Sequence, residues 1–169
     1  MGDLIAEIEA CVPALRRYAR ALTRNADVAD DLVQDCLERA LARRGLFRPQ
    51  GPVRAWLFTI LLNLYRNGLR ASRRRGETVA IEDMPSEPMT PAAQPGHMAL
   101  AEIARAIEAL PPDQKEALLL VVLEGVSYAE AAGILGIPQG TLMSRLSRAR
   151  AALRIIGGTS GEPYLRTVK

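Results

Sequence analysis

Residues 127–154, SYAEAAGILGIPQGTLMSRLSRARAALR, constrain the fold more than any other stretch of the chain. They read as a short helix, a tight turn and a second helix. Ser127 with Glu130 three residues on fits a capping box, in which side chains satisfy the free amides of a first helical turn. Ala132 is small enough for two helices to cross closely. Gly136 supplies the permissive backbone that a sharp helix exit needs. Ile137 and Leu142 return apolar groups to the core, and Pro138 suits a helix start because it has no amide to leave unsatisfied. The second helix carries Arg145, Arg148, Arg150 and Arg154 with no acidic residue among them. This is a helix-turn-helix pattern whose second helix is expected to enter a DNA major groove. The competing reading is an ordinary helical hairpin.

A chain of 169 residues allows one good domain or two small helical ones. Ala, Leu, Arg and Glu dominate and β-branched runs are scarce, which favours helices. The net charge of +3 says less than its distribution. Residues 1–75 use arginine and no lysine, whereas residues 76–104 contain acids and neither Lys nor Arg. Arginine's planar fork suits phosphates and guanine edges, although a GC-rich genome produces the same bias. Cys11 and Cys36 fall at apolar positions of different expected helices, without CxxC spacing. They read as buried free thiols in a reducing compartment. His97 is the lone histidine, so no metal site is expected. The acidic N-terminus lacks the apolar core of a signal peptide, and no segment is long and apolar enough to span a membrane.

In chain order, residues 3–24 predict a helix with Leu4, Ile8, Cys11, Leu15, Tyr18, Ala19 and Leu22 on its inner face, kinked or divided at Pro13. Asn25 and Asp27 cap the next helix. Its apolar stripe is Val28, Leu32, Val33, Cys36, Leu37, Ala40 and Leu41. Asp27, Asp30, Asp31, Gln34, Asp35 and Glu38 lie towards the other side. Asp31 and Asp35 are like charges one turn apart, which slightly destabilises an isolated helix. Such a cluster serves either a basic partner or simple solvation. Residues 45–53 are Gly- and Pro-rich and read as a loop. Within it, Phe47 beside Arg48 suits stacking on an unpaired base, or plugging back into the core.

Residues 54–72 form the most hydrophobic helix, expected at the centre of the first domain. One narrow polar stripe survives there: Thr59, Asn63, Arg66, Asn67 and Arg70. Asparagines one turn apart on a buried helix need partners, and a nucleic-acid strand would supply them. Residues 76–98, rich in proline and acid, read as a flexible linker. In the second domain, Leu100, Ile103, Ile107 and Leu110 are expected to face inward. After Pro111 and Pro112 a helix reaches Glu124, with residues 118–123 as core, and Gly125 ends it. Residues 157–169 read as a mobile tail.

Three blocks in this order, 27–41 (DVADDLVQDCLERAL), 52–70 (PVRAWLFTILLNLYRNGLR) and 109–153, carry a resemblance to bacterial RNA polymerase sigma factors of the extracytoplasmic-function (ECF) type. The resemblance implies an all-α fold of two small helical domains on a flexible linker. Residues 1–75 would form a region 2-like domain, 99–156 a region 4-like helix-turn-helix domain. It implies core polymerase binding, at the clamp helices of the largest subunit, through Asp30, Asp31, Gln34 and Asp35. Phe47, Arg48, Asn63, Arg66, Asn67 and Arg70 would meet the single-stranded minus-10 element. Gln139, Thr141, Met143, Ser144, Arg145, Ser147 and Arg148 would read the minus-35 duplex. Met143 and Ser147 stand where family members often carry Arg or an aromatic, so the promoter sequence does not follow. The resemblance further implies a cytoplasmic protein without cofactor or enzymatic activity, controlled by an anti-sigma factor. Two other readings remain: a DNA-binding regulator that does not act as sigma, and a sigma mimic that titrates an anti-sigma factor.

Overall fold

The computed structural model describes residues 2–46, 51–76 and 95–157. Phe47 and Arg48, residues 77–94 of the expected linker, and the expected tail beyond residue 157 lie outside the described residues. Those residues form seven α-helices: α1 (Gly2–Thr23), α2 (Ala26–Ala42), α3 (Val53–Arg74), α4 (Pro95–Glu108), α5 (Pro112–Val122), α6 (Tyr128–Leu135) and α7 (Gln139–Gly157). A 3-10 turn, Arg44–Leu46, follows α2.

Helices α1, α2 and α3 pack into a three-helix bundle. Ile8, Leu15, Tyr18, Ala19 and Leu22 recur at three- and four-residue intervals on α1, and all are buried. Pro13 does not divide α1, contrary to the expectation from its ring. It lies with Glu9 on the exposed side, where water can meet the carbonyl that proline leaves without a helical donor. Asn25 caps α2, its side-chain oxygen accepting from the Val28 amide at 3.0 Å. The stripe of α2 is narrower than expected. Ala29, Leu32, Val33, Cys36 and Ala40 are buried, but Val28 is 51% exposed and Leu41 39%. At 3.6 residues per turn these two sit about 80° and 140° around the helix from Cys36, at and beyond the stripe's edges.

Helix α3 packs on both α1 and α2, with Val53, Leu57, Phe58, Ile60, Leu61 and Leu62 buried, but Asn63, Asn67 and Arg70 are exposed, so it is not the enclosed central helix expected. Phe58 meets Tyr18 edge to face at 5.2 Å between ring centres. The Cys36 thiol donates to the Leu57 carbonyl at 3.4 Å.

Helices α4 to α7 form the second half. Pro112 opens α5, and Gly125 reverses the chain after it with φ at 63°. Ser127 caps α6, accepting from the Glu130 amide at 3.2 Å. Gly136 closes α6 in the left-handed conformation, φ 66° and ψ 36°. Leu142, Leu146 and Ala149 of α7 then pack on Ala131, Ile134 and Leu135 of α6 within the same core.

Two expectations about this core are corrected. Leu100 and Ile103 of α4 are exposed, while Ala106 and Leu110 carry the burial. Along residues 118–123, Leu118, Leu119 and Leu120 are buried, but Val122 and Leu123 are exposed. Six consecutive apolar residues wrap a helix fully, so they cannot all face one core.

The halves do not stand apart. Helix α1 packs on α5 and α3 on α6, and the buried side chains of both halves join in one cluster.

Candidate nucleic-acid and protein interfaces

Helix α2 turns its acids away from the bundle. Asp27, Asp30, Asp31, Gln34, Asp35 and Glu38 are all exposed. Asp30 is loosely neutralised by Arg16 at 3.7 Å and Arg20 at 3.8 Å. Gln34 donates to Glu38 one turn on, at 3.0 Å. Asp31 and Asp35 sit between them on the solvent side. Exposed like charges one turn apart gain nothing from the helix that holds them. An exposed acidic face of this kind can attract a basic partner or simply be solvated.

The polar stripe of α3 divides in two. Asn63, Asn67 and Arg70 are exposed. The asparagines therefore lie on an open face, where water meets their amides, and not in the buried setting expected of them. Arg66 turns instead towards the second half. Its Nη2 donates to Glu116 Oε2 at 2.6 Å and its Nε to the same oxygen at 3.1 Å. The hydrogen bond with Glu116 raises the Arg66 pKa further above its ordinary value. Arg73, Arg74 and Arg75 extend the positive surface at the end of α3.

On α7 the expected reading residues share one solvent face: Gln139, Thr141, Met143, Ser144, Ser147 and Arg148 are exposed around the buried ridge of Leu142, Leu146 and Ala149. The Ser144 hydroxyl donates back to the Gly140 carbonyl at 3.1 Å. The four arginines play different parts. Arg148 and Arg154 are exposed. Arg145 is held by Asp113 of α5, Nε to Oδ2 at 3.3 Å, and Arg150 donates to the Tyr128 hydroxyl at 3.1 Å. Asp113 and Tyr128 thus aim and anchor the second helix of the motif.

Sequence reasoning missed one feature altogether. Glu116 and Glu124 are buried, at 3% and 6% exposure, and arginines of the other half receive both. Glu124 takes Arg17 at 2.6 and 3.0 Å and Arg54 at 2.9 Å. Arg54 also donates to the Glu124 carbonyl at 2.8 Å. The hydrogen bond to Glu124 raises the Arg17 pKa above its ordinary value. Beside these pairs, the Tyr18 hydroxyl donates to the Glu116 carbonyl at 3.0 Å. Lys115 donates to the Leu22 carbonyl at 3.1 Å. The only available signal was a surplus of arginine in residues 1–75, and it did not identify partners about 50 to 107 positions away.

Residues 8–62 match the family model described as the Sigma2 domain of PhyR, and residues 100–153 match sigma-70, region 4. The chain is 47% identical over 151 residues to the ECF RNA polymerase sigma factor EcfG of Rhodopseudomonas palustris, covering 87% of this chain and 81% of that protein. Its fold is similar to that of the sigma factor RpoE, solved in complex with the anti-sigma factor NepR from Bartonella quintana. That match has a TM-score of 0.76 and 34% identity, over 95% of this chain and 99% of that one. It is also similar to the response regulator PhyR from Brucella abortus, at 25% identity and a TM-score of 0.54, covering 88% of this chain but 43% of PhyR. Both halves match in order, and nearly half the residues are shared with a sigma factor along most of its length; the chain belongs to the family of ECF RNA polymerase sigma factors.

Proposed function

We propose that the chain is an alternative sigma factor that docks on core RNA polymerase through the acidic face of α2 and directs it to a small set of promoters. Asp30, Asp31, Gln34 and Asp35 meet the clamp helices of the largest subunit. Gln139, Thr141, Met143, Ser144, Arg145, Ser147 and Arg148 read the minus-35 duplex. Asn63, Arg66, Asn67 and Arg70, with Phe47 and Arg48, hold the melted minus-10 strand and offset the few kcal/mol that each unstacked base costs. The polymerase does the chemistry, so the factor needs no catalytic constellation and works in the cytoplasm where transcription occurs. An anti-sigma factor holds it inactive, a reading supported by the similarity to RpoE in its complex with NepR.

The observation that carries this reading is the exposed acidic face of α2, on a chain that also exposes polar and basic surfaces on α3 and α7. A plain duplex-binding regulator has no use for the acidic face. Adding the chain to core polymerase should produce promoter-specific transcripts. Absence of transcripts on every genomic template would overturn the proposal.

The match of the first half to PhyR favours a second reading, a sigma mimic that engages an inhibitor and leaves DNA alone. It predicts tight binding of an anti-sigma factor with no transcript under any condition. The polar, solvent-facing second helix of the motif speaks for the first reading.

A further inference from the structure

Glu116 and Glu124 are the only buried carboxylates among the described residues. Both belong to the half that carries the helix-turn-helix, yet arginines of the other half, on α1 and α3, supply their cations. A buried carboxylate is tolerated only when donors surround it. Here each has a close arginine fork, Arg66 on Glu116 and Arg17 with Arg54 on Glu124. The same fork geometry fits the oxygens of a phosphate.

Closure therefore takes three arginines out of use for any other anion. Arg66 is the clearest case, because it lies on α3 between Asn63 and Asn67, the exposed pair expected to line a single strand. Arg54 shows that closure does not satisfy these cations fully. Its Nε is buried and has no hydrogen-bond partner, while its guanidinium carbon stands 5.5 Å from the centre of the Phe58 ring. The arginine side chains remain about a quarter to a half exposed at the seam between the halves, so solvent and salt reach the arginine side of each pair.

We propose that Glu116 and Glu124 are internal stand-ins for phosphate: they close the chain over an anion site formed by Arg17, Arg54 and Arg66, and that site takes the phosphates of single-stranded DNA once the halves part. The identity of the polyanion rests on the function proposed above. The proposal adds Arg17 and Arg54 to the strand-binding surface and makes closure and strand binding mutually exclusive. A closed chain then binds the strand more weakly by the fraction of molecules that are open.

The test uses the full chain and a fluorescently labelled single-stranded DNA of mixed sequence, with anisotropy read across a range of KCl. Glu116→Gln with Glu124→Gln should tighten binding about tenfold or more, as expected if the open form is a minor state of about 10% or less. The slope of log affinity against log salt should change little, because both chains bind in the same open form with the same phosphate contacts. Adding Arg17→Gln, Arg54→Gln and Arg66→Gln to that variant should cancel the gain and flatten the slope by about 2, for three lost phosphate contacts at about 0.7 each. Unchanged affinity in the double variant, or a gain and slope that survive loss of the arginines, would overturn the proposal. If the double variant loses its helical signal, Glu124→Gln alone weakens the closure and should tighten binding severalfold, a gain that Arg17→Gln with Arg54→Gln removes; no tightening is equally fatal. Transcription with core polymerase, run in parallel on the wild-type chain, fails only if the sigma-factor reading fails, so the two outcomes are separable.

Discussion

Arg66 and Glu116 meet at 2.6 Å across 50 residues of chain, one on α3 of the first half and the other on α5 of the second. The contact is reinforced by Tyr18, whose hydroxyl donates to the backbone carbonyl of the same Glu116. Burial pushes the Tyr18 phenol well above its ordinary range, so it stays a neutral donor. Tyr18→Phe keeps the edge-to-face packing on Phe58 and removes only that bond. It should cost about 1 kcal/mol, read as a lower midpoint in urea unfolding, with helix content unchanged.

The turn of the motif offers a matched pair of glycines. Gly136 has φ at 66°, and a Cβ there would meet open space. The cost of Gly136→Ala is therefore backbone strain alone, about 1–2 kcal/mol. Gly133 lies within α6, also with open space around it, and Gly133→Ala should stabilise by about 0.5–1 kcal/mol. Chemical denaturation of the two variants should show midpoints moving in opposite directions.

The two thiols should differ in reactivity. Cys36 is buried and Cys11 is partly accessible. Burial pushes the Cys36 thiol up to about 12 and raises Cys11, with Arg54 partly opposing the shift. Alkylation at neutral pH should therefore label Cys11 first, and Cys36 only as fast as the chain opens. The folded chain holds the Cys36 proton more tightly than the unfolded chain does. Stability from this group is intact below about pH 9 and is lost as pH rises from there towards 12. Tyr65, pushed up to about 12 chiefly by burial and further by Glu116 and Glu108, adds to the decline above pH 10. Cys36→Ala should remove its share of that alkaline slope in a pH series of unfolding curves.

Arg148 and Arg145, one turn apart, should behave differently on substitution. Arg148 is exposed. Arg148→Ala should weaken duplex binding and flatten the salt slope by about 0.9 if it holds one phosphate, with no effect on stability. Arg145 is pinned to Asp113, so Arg145→Ala should lower the unfolding midpoint as well as weaken binding.

Local rules made most of the fold readable from the sequence. Asn25, Ser127, Gly125 and Gly136 act within three or four residues of themselves, and each marks a helix boundary in the structure as its chemistry predicts. Helix faces were legible at their centres and misread at their edges, as Val28, Leu41, Leu100 and Ile103 show, because periodicity gives a direction but no width. The polar faces of α2, α3 and α7 were legible as surfaces. The pairing of Arg17, Arg54 and Arg66 with Glu116 and Glu124 was not. Beside the run of leucines on α5, Glu116 and Glu124 look like ordinary polar positions of an amphipathic helix, and only the packing of one half on the other buries them.

The acidic face of α2 bears the central claim most directly. Labelled chain titrated into core RNA polymerase should bind stoichiometrically. Asp31→Arg with Asp35→Arg should weaken that binding by about a hundredfold or more, since like charges brought together across an interface cost several kcal/mol. A wild-type chain that does not bind core polymerase, or a charge-reversed chain that binds as tightly as wild type, would contradict the account.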